Sequence, residues 1–346
     1  MRDEALPEDE VIRILMEMKE RDFRYDRFFS TMCTRPHPIA VRAHDMFLET
    51  NLGDPGLFPG VADLEQRVVR MLGELLGCSN AAGYISTGGT ESNIQAIRAA
   101  RNEAGKKDGN IVVPASAHFS FDKIGDLLCL EVRKAELDEC LRVDLASVRS
   151  LVDERTVALV GIAGTTEFGQ VDPIEGLATI AQERKIHLHV DAAFGGFVLP
   201  FLEGEWRWDF RVPGVSSITI DPHKMGMSTI PAGGLLFREQ ECLSHLETET
   251  HYLTKARQAS LTGTRSGAAA AATYAVMMHL GRKGFKETVC YCMNLTHHLV
   301  SGARQIGVEP LIEPTMNVVA LQVPSPAKVR EELMKRDWHV SLTREP

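Results

Sequence analysis

No stretch of the sequence approaches the roughly 18 uninterrupted apolar residues that a membrane-spanning helix needs. The chain also lacks a CxxC cysteine pair and any dense cluster of lysine and arginine. Each absence narrows the function. The first argues against a membrane partner. The second leaves seven scattered cysteines, of which Cys290 and Cys292 lie too close for a disulfide framework or a zinc knuckle. The expectation is therefore free thiols in a reducing cytoplasm and no metal site. The third argues against nucleic acid, because a phosphate backbone is bound by a basic face and this chain carries a formal net charge of −9. A signal peptide is missing too: the N-terminal stretch MRDEALPEDEVIRILMEMKERD is acidic, without an apolar core. It reads instead as a helix with Val11, Ile12, Leu15 and Met16 on one face.

What is present is ordinary for a large soluble enzyme: 346 residues, 44% of them hydrophobic and 25% charged, enough for one big domain and a smaller one. β-branched runs at Asn110–Pro114, Thr156–Ile162, Ile186–Val190 and Val215–Ile220 alternate with helical patterns such as Ser92–Arg101 and Ile174–Arg184. That alternation predicts an α/β fold with a mainly parallel sheet. The run SGAAAAATYAVMMHL, from Ser266 to Leu280, reads as a helix whose small residues admit a close neighbour. The expected division is an N-terminal helical segment over 1–50, a large domain over 51–282 and a small C-terminal α+β domain over 283–346. The small domain holds a strand at Val318–Val323, and its last residues begin a strand-and-turn pattern that stops at Pro346, so it is expected to be incomplete there.

In an open parallel sheet, ligands bind beyond the carboxyl ends of the strands. Polar residues gather at four such ends. Ser86-Thr-Gly-Gly-Thr-Glu-Ser-Asn93 joins an apolar run to a helix, and Gly88 and Gly89 leave backbone N–H groups unobstructed, while Thr90 adds a hydroxyl. This is a phosphate-cradle pattern. It lacks the GxxxxGK[ST] spacing of a nucleotide loop; the competing reading is an ordinary helix start with Thr90 as N-cap. Asp191 follows the strand Ile186–Val190 and precedes Ala192 and Ala193, where a flat group can pack. Buried there, its carboxylate needs a cationic or N–H partner. Lys224 ends the run Asp221-Pro-His-Lys224. A lysine at a strand end beside a phosphate cradle and a buried carboxylate suits imine chemistry with an aldehyde cofactor. Pyridoxal 5′-phosphate meets all three features: phosphate on Gly89 and Thr90, aldehyde on Lys224, and ring nitrogen on Asp191, which keeps the ring an electron sink. A snorkelling surface lysine is the alternative. His118, past another strand end, either stacks on such a ring opposite Ala193, acts as an acid or base, or is a structural histidine. His187, His189, His297 and His298 show no ligand spacing and read as structural.

With these residues in order, the chain resembles the group II pyridoxal-phosphate-dependent amino-acid decarboxylases, above all their archaeal tyrosine/aspartate branch. The matching pieces are Asn51-Leu-Gly-Asp-Pro-Gly-Leu-Phe-Pro-Gly60, Ser86–Asn93, Ser116-Ala-His-Phe-Ser120, Gly164-Thr-Thr166, Asp191-Ala-Ala193, Asp221-Pro-His-Lys224 and Gly263-Thr-Arg-Ser-Gly267. The resemblance implies a fold-type-I large domain, a small C-terminal domain and a cytoplasmic homodimer with a shared active site. It implies His118 stacked on the ring, Thr166 near the ring hydroxyl, His223 beside the phosphate, and Gly263 and Thr264 reaching the phosphate from the partner chain. Tyr252 matches a mobile-loop tyrosine that protonates the product, with a core tyrosine as the alternative. The arginine that holds the substrate carboxylate in the family is expected beyond Pro346. The implied reaction is decarboxylation of an L-amino acid: tyrosine to tyramine for methanofuran, or aspartate to β-alanine for coenzyme A. A pyridoxal lyase that cleaves C–C or C–S bonds, and a non-catalytic phospholigand-binding protein on the same scaffold, are the rival readings.

Overall fold

Seven strands build the sheet that carries the site: β1 (Ala82–Ser86), β2 (Asn110–Pro114), β3 (Glu131–Ala135), β4 (Thr156–Ile162), β5 (His187–Asp191), β6 (Ser217–Ile220) and β7 (Gly233–Phe237). The computed structural model describes residues 2–343. The strand order is β1-β7-β6-β5-β4-β2-β3. The pairings between β3 and β6 are parallel, and β7 runs antiparallel to both β6 and β1. This is the mainly parallel α/β sheet that the alternating pattern predicts. Every residue of β2, β4, β5 and β6 is buried, which explains their near-continuous apolar character. β2 and β4 have the bounds read from the sequence, whereas β5 starts at His187 and β6 at Ser217.

The helix Gly89–Ala104 follows β1 and buries Ile94, Ala96, Ile97, Ala99 and Ala100. The small-residue run begins a helix over Gly267–Gln305, whose first turns bury Gly267–Thr273. Gly281, with φ 55° and ψ −174°, breaks that helix next to the expected boundary at 282. Val318–Val323 is not a strand: among the described residues it forms a single bridge, from Leu321 to Pro310. The bridge is closed by the Leu311 N–H on the Ala320 carbonyl and the Gln322 N–H on the Glu309 carbonyl, and no further pairing extends it among the described residues. The expected end of the small domain at 344–346 lies outside the described residues.

The described residues form two compact units, one made of 2–31 with 323–343, the other of Met32–Gln322, which contains the whole sheet. In the first, the helix Glu8–Lys19 leaves Val11, Ile12, Leu15 and Met16 exposed, and Phe29 stacks on Trp338 at 4.9 Å. Among the described residues no helix is long and apolar enough to cross a membrane.

In the second unit a buried ion pair ties two loops to β1. Arg265 pairs with Glu65, their side chains 10% and 7% exposed. The guanidinium also donates to the carbonyl of Ile85, while Glu65 accepts the Ile85 N–H at 2.9 Å. The backbone of Arg265 is held at both ends: its N–H donates to Asn51 Oδ1 and its carbonyl accepts from Leu52 N–H. Gly53 must be glycine, because a Cβ there would stand 1.9 Å from the Gly263 carbonyl oxygen. The pair therefore positions the Gly263–Thr264 turn. Arg265→Met, which strands the Glu65 carboxylate, is expected to cost roughly 3–5 kcal/mol in urea denaturation. Adding Glu65→Gln should restore most of it; a single variant as stable as the wild type would remove this role.

Candidate active site

β1 ends at Ser86 and the next helix begins at Gly89, with Gly88 as its cap residue at φ 151° and ψ 178°. That φ favours glycine, and a Cβ at Gly88 would lie 3.1 Å from His223 Cε1. The reading of Thr90 as N-cap is thus corrected: Thr90 is in the first helical turn. The helix starts earlier because Glu91 reaches back, its Oε2 accepting from Thr87 N–H at 2.8 Å and Thr87 Oγ1–H at 2.7 Å, as Ser92 bonds Ser86. Thr90 Oγ1 makes no hydrogen bond to the described residues, so its hydroxyl faces a helix N-terminus suited to an anion, where the Gly89 N–H already donates to the Asp221 carboxyl.

β6 delivers the charged group opposite. Past its end, Asp221 is 1% exposed and Lys224 lies one turn on, its Nζ 3.3 Å from Asp221 Oδ2. The same oxygen accepts the Gly89 N–H at 3.0 Å and stands 3.8 Å from His223 Nε2. Asp221 Oδ1 is buried without a partner. Burial raises the titration of Asp221, against the pull of Lys224 and His223. Burial also lowers that of His223, whose Nδ1 accepts the Ala232 N–H at 3.1 Å. The carbonyl of Lys224 accepts from Thr34 Oγ1–H at 2.6 Å, which fixes the lysine backbone from another segment.

β5 delivers Asp191, whose buried carboxylate has each oxygen partnered once: Oδ1 accepts the Ala193 N–H at 3.1 Å and Oδ2 accepts Asn93 Nδ2–H at 2.8 Å. Ala193 is buried beside it, and its carbonyl accepts the Asp221 N–H. His118 caps the next helix by accepting the Ser120 N–H on Nδ1 at 3.2 Å. Desolvation lowers its titration, and Asp191, Lys224 and Asp221 all act on it electrostatically. The fold thus gathers Gly89, Thr90, His118, Asp191, Ala193, His223 and Lys224 at the carboxyl ends of β1, β2, β5 and β6. Thr166, past β4, is exposed; the buried neighbour is Thr165, which accepts the Gln170 N–H. Tyr252 is 88% exposed, and Gly263 and Thr264 are exposed as well. Within this one chain no hydrogen bond links these three to Lys224, Asp191 or Asp221.

Sequence reasoning gave no part to Asp221 or Asn93, and set His189 aside as structural. The available signal was the alternation of polar residues in two strands buried on both faces, His187, His189 and Asp191 in β5 and Ser217 and Thr219 in β6.

These residues fit pyridoxal phosphate on their own chemistry. The glycine cradle is a space that a Cβ would fill, Lys224 is a primary amine beside it, and the acceptor lone pairs of Asp191 suit a protonated ring nitrogen. The raised titration of Asp221 suits a neutral carboxyl next to a phosphate, and its unpartnered Oδ1 is free to engage one.

The comparisons agree with that chemistry. The pyridoxal-dependent decarboxylase conserved domain matches residues 49–323. A probable L-tyrosine/L-aspartate decarboxylase of Methanothrix thermoacetophila is 71% identical over 344 residues, 99% of this chain and 90% of the relative. A probable L-aspartate decarboxylase of Archaeoglobus fulgidus is 53% identical over 337 residues, 97% of this chain and 92% of the relative. Among solved structures, the sphingosine-1-phosphate lyase of Burkholderia pseudomallei superposes with a TM-score of 0.91 at 29% identity, over 100% of this chain and 85% of that one. The shared architecture is that of the fold-type-I pyridoxal enzymes.

Proposed function

The chain belongs to the pyridoxal-dependent decarboxylase family, and from that membership we propose that it decarboxylates L-tyrosine to tyramine or L-aspartate to β-alanine. The observation that carries the reading is the pairing of Lys224, held 3.3 Å from Asp221 beside the glycine cradle, with a separate buried carboxylate at Asp191. The names of the relatives support the two substrates, and the family resemblance supports tyramine for methanofuran or β-alanine for coenzyme A as the use of the product.

Pyridoxal phosphate, when bound, supplies a protonated ring that accepts the electron pair released as CO2 leaves. Gly89 and the Thr90 hydroxyl would hold its phosphate at the helix N-terminus, with His223 alongside. Lys224 Nζ would be the amine that holds the cofactor aldehyde. Asp191 keeps the proton on the ring nitrogen. His118 and Ala193 would hold the two ring faces, and the family resemblance supports Thr166 as the residue toward the ring hydroxyl. Tyr252 returns a proton to the substrate Cα.

We further propose a homodimer in the cytoplasm, each site completed by Tyr252, Gly263 and Thr264 of the partner. Their exposure in the single chain supports this arrangement. Tyr252→Phe is expected to release CO2 while its amine yield falls by about 10²- to 10³-fold, the usual worth of a positioned acid. Random mixing of Tyr252→Phe with Lys224→Ala should then restore about a quarter of wild-type activity, because one site in each mixed dimer is intact. Mixed dimers verified by native mass spectrometry yet inactive would refute the shared site.

The test of the function itself is amine and CO2 production from a panel of L-amino acids by the cofactor-loaded protein. Aldehyde or sulfide formed without CO2 would reassign it as a different lyase. A cofactor that borohydride fails to fix would make it a binding protein.

A further inference from the structure

The polar side chains buried between β5, β6 and the helix Gly89–Ala104 form one continuous chain of contacts. His187 and His189 share a face of β5 with Asp191 because strand side chains repeat every second residue. Ser217 of β6 sits in register with His189, and Thr219 with Asp191. Asn93 and Glu103 lie on the overlying helix, ten residues and therefore about 15 Å apart.

The direction of each hydrogen bond follows from the carboxylate at one end. Asp191 Oδ2 only accepts, so Asn93 must turn its amide nitrogen toward it, at 2.8 Å. The other hydrogen of that amide goes to Ser120 Oγ at 3.1 Å, and Asn93 Oδ1 is left to accept from His189 Nε2, 3.0 Å away. His189 is fully enclosed, and burial lowers its titration to about 3, so it is neutral. With its proton on Nε2, its Nδ1 must accept, and Ser217 Oγ–H donates to it at 2.8 Å. Ser217 Oγ in turn accepts from His187 Nε2–H at 2.8 Å. His187 Nδ1 lies 3.7 Å from Glu103 Oε2, beyond hydrogen-bond distance, so the chain of hydrogen bonds starts at His187. Thr219 Oγ1, 3.3 Å from His189 Nε2, shares the same proton as an acceptor.

We propose that His187, Ser217, His189 and Asn93 are positioning residues, a one-way hydrogen-bond relay from His187 to Asp191 that locks the Asp191 carboxylate in one orientation. Asn93 has no freedom to flip, because a reversed amide would set its oxygen against the carboxylate. His189 has no freedom to change tautomer, because Asn93 Oδ1 and Ser217 Oγ–H fix both ring nitrogens. The lone pairs of Asp191 that remain point where Asn93 and Ala193 leave them. The role assigned to Asp191 in this relay rests on its proposed pairing with the ring nitrogen; the proton directions do not.

Two readouts separate these. In cofactor-free wild-type protein labelled with 15N-histidine, the long-range proton–nitrogen correlation of His189 should show the proton on Nε2 alone. In Ser217→Ala the Nδ1 donor is gone while Asn93 Oδ1 still takes the Nε2 proton, so His189 should keep that tautomer and its Nδ1 resonance should move to that of a nitrogen without a hydrogen-bond donor. The loaded variant should lose roughly tenfold in kcat with KM unchanged, as removal of one buried hydrogen bond predicts. A His189 proton on Nδ1 in the wild type overturns the relay, and so does a Ser217→Ala enzyme with wild-type kcat. If the wild type makes no amine from any amino acid, the tautomer of the cofactor-free protein still decides the relay, and only the reading of function fails.

Discussion

Lys224→Ala is expected to form no measurable amine, with turnover at least about 10⁴-fold below wild type, because no other amine stands at the cradle. Borohydride treatment of the loaded wild type should leave the cofactor mass on the peptide that contains Lys224, and the variant should retain none. Attachment at another lysine would end the assignment. The variant also tests Asp221. Without Lys224 the buried Asp221 carboxylate keeps only the Gly89 N–H, since His223 Nε2 is 3.8 Å away. A carboxyl whose folded titration is raised binds its proton more tightly folded than unfolded, so its contribution to stability is lost as pH rises through that titration. Removing Lys224 raises it further. The cofactor-free variant should therefore melt close to the wild type at acidic pH and progressively below it as pH rises through the Asp221 titration. Parallel melting curves across that range would show that Asp221 does not depend on the lysine.

What the sequence reveals and what it hides differ in physical origin. The strands at Asn110–Pro114 and Thr156–Ile162 are legible because a strand buried on both faces has to be apolar nearly throughout, and the chain offers few such runs. Lys224 and Asp191 are legible because each is a charged residue at the end of a run of that kind. The competing reading of Thr90 as a cap fails because the helix start is set by Glu91 reaching back to Thr87, a choice that local propensity does not make. The part of Asp221 depends on Gly89, 132 residues away in sequence. The relay is hidden for the same reason: the polar alternation of β5 is visible, but its meaning needs Ser217 in register and Asn93 overhead. Val318–Val323 has strand composition without a strand partner among the described residues, and composition alone does not supply one.

Asp191→Asn is expected to lower kcat by about 10³-fold, the scale of removing a preorganised electrostatic partner from a developing charge. The substitution preserves shape and withdraws the negative charge that holds the proton on the ring nitrogen. Its effect should also travel. If the new amide keeps its oxygen on the Ala193 N–H, its nitrogen points at Asn93 Nδ2, donor against donor. Asn93 then has to flip, its nitrogen turns to His189 Nε2, and the imidazole has to move its proton to Nδ1. Ser217 Oγ can accept that proton, so the reversed chain closes without an orphaned group. The histidine correlation spectrum of cofactor-free Asp191→Asn should accordingly report the Nδ1–H tautomer of His189, opposite to the wild type. Asp191→Glu keeps the charge but displaces it by about one methylene, and should lie between the two with a loss of roughly 10²-fold. An Asp191→Asn enzyme within tenfold of the wild type would remove the charge from the mechanism. A fully slowed Asp191→Asn enzyme in which His189 keeps its Nε2 proton would leave the charge essential and cut it off from the relay.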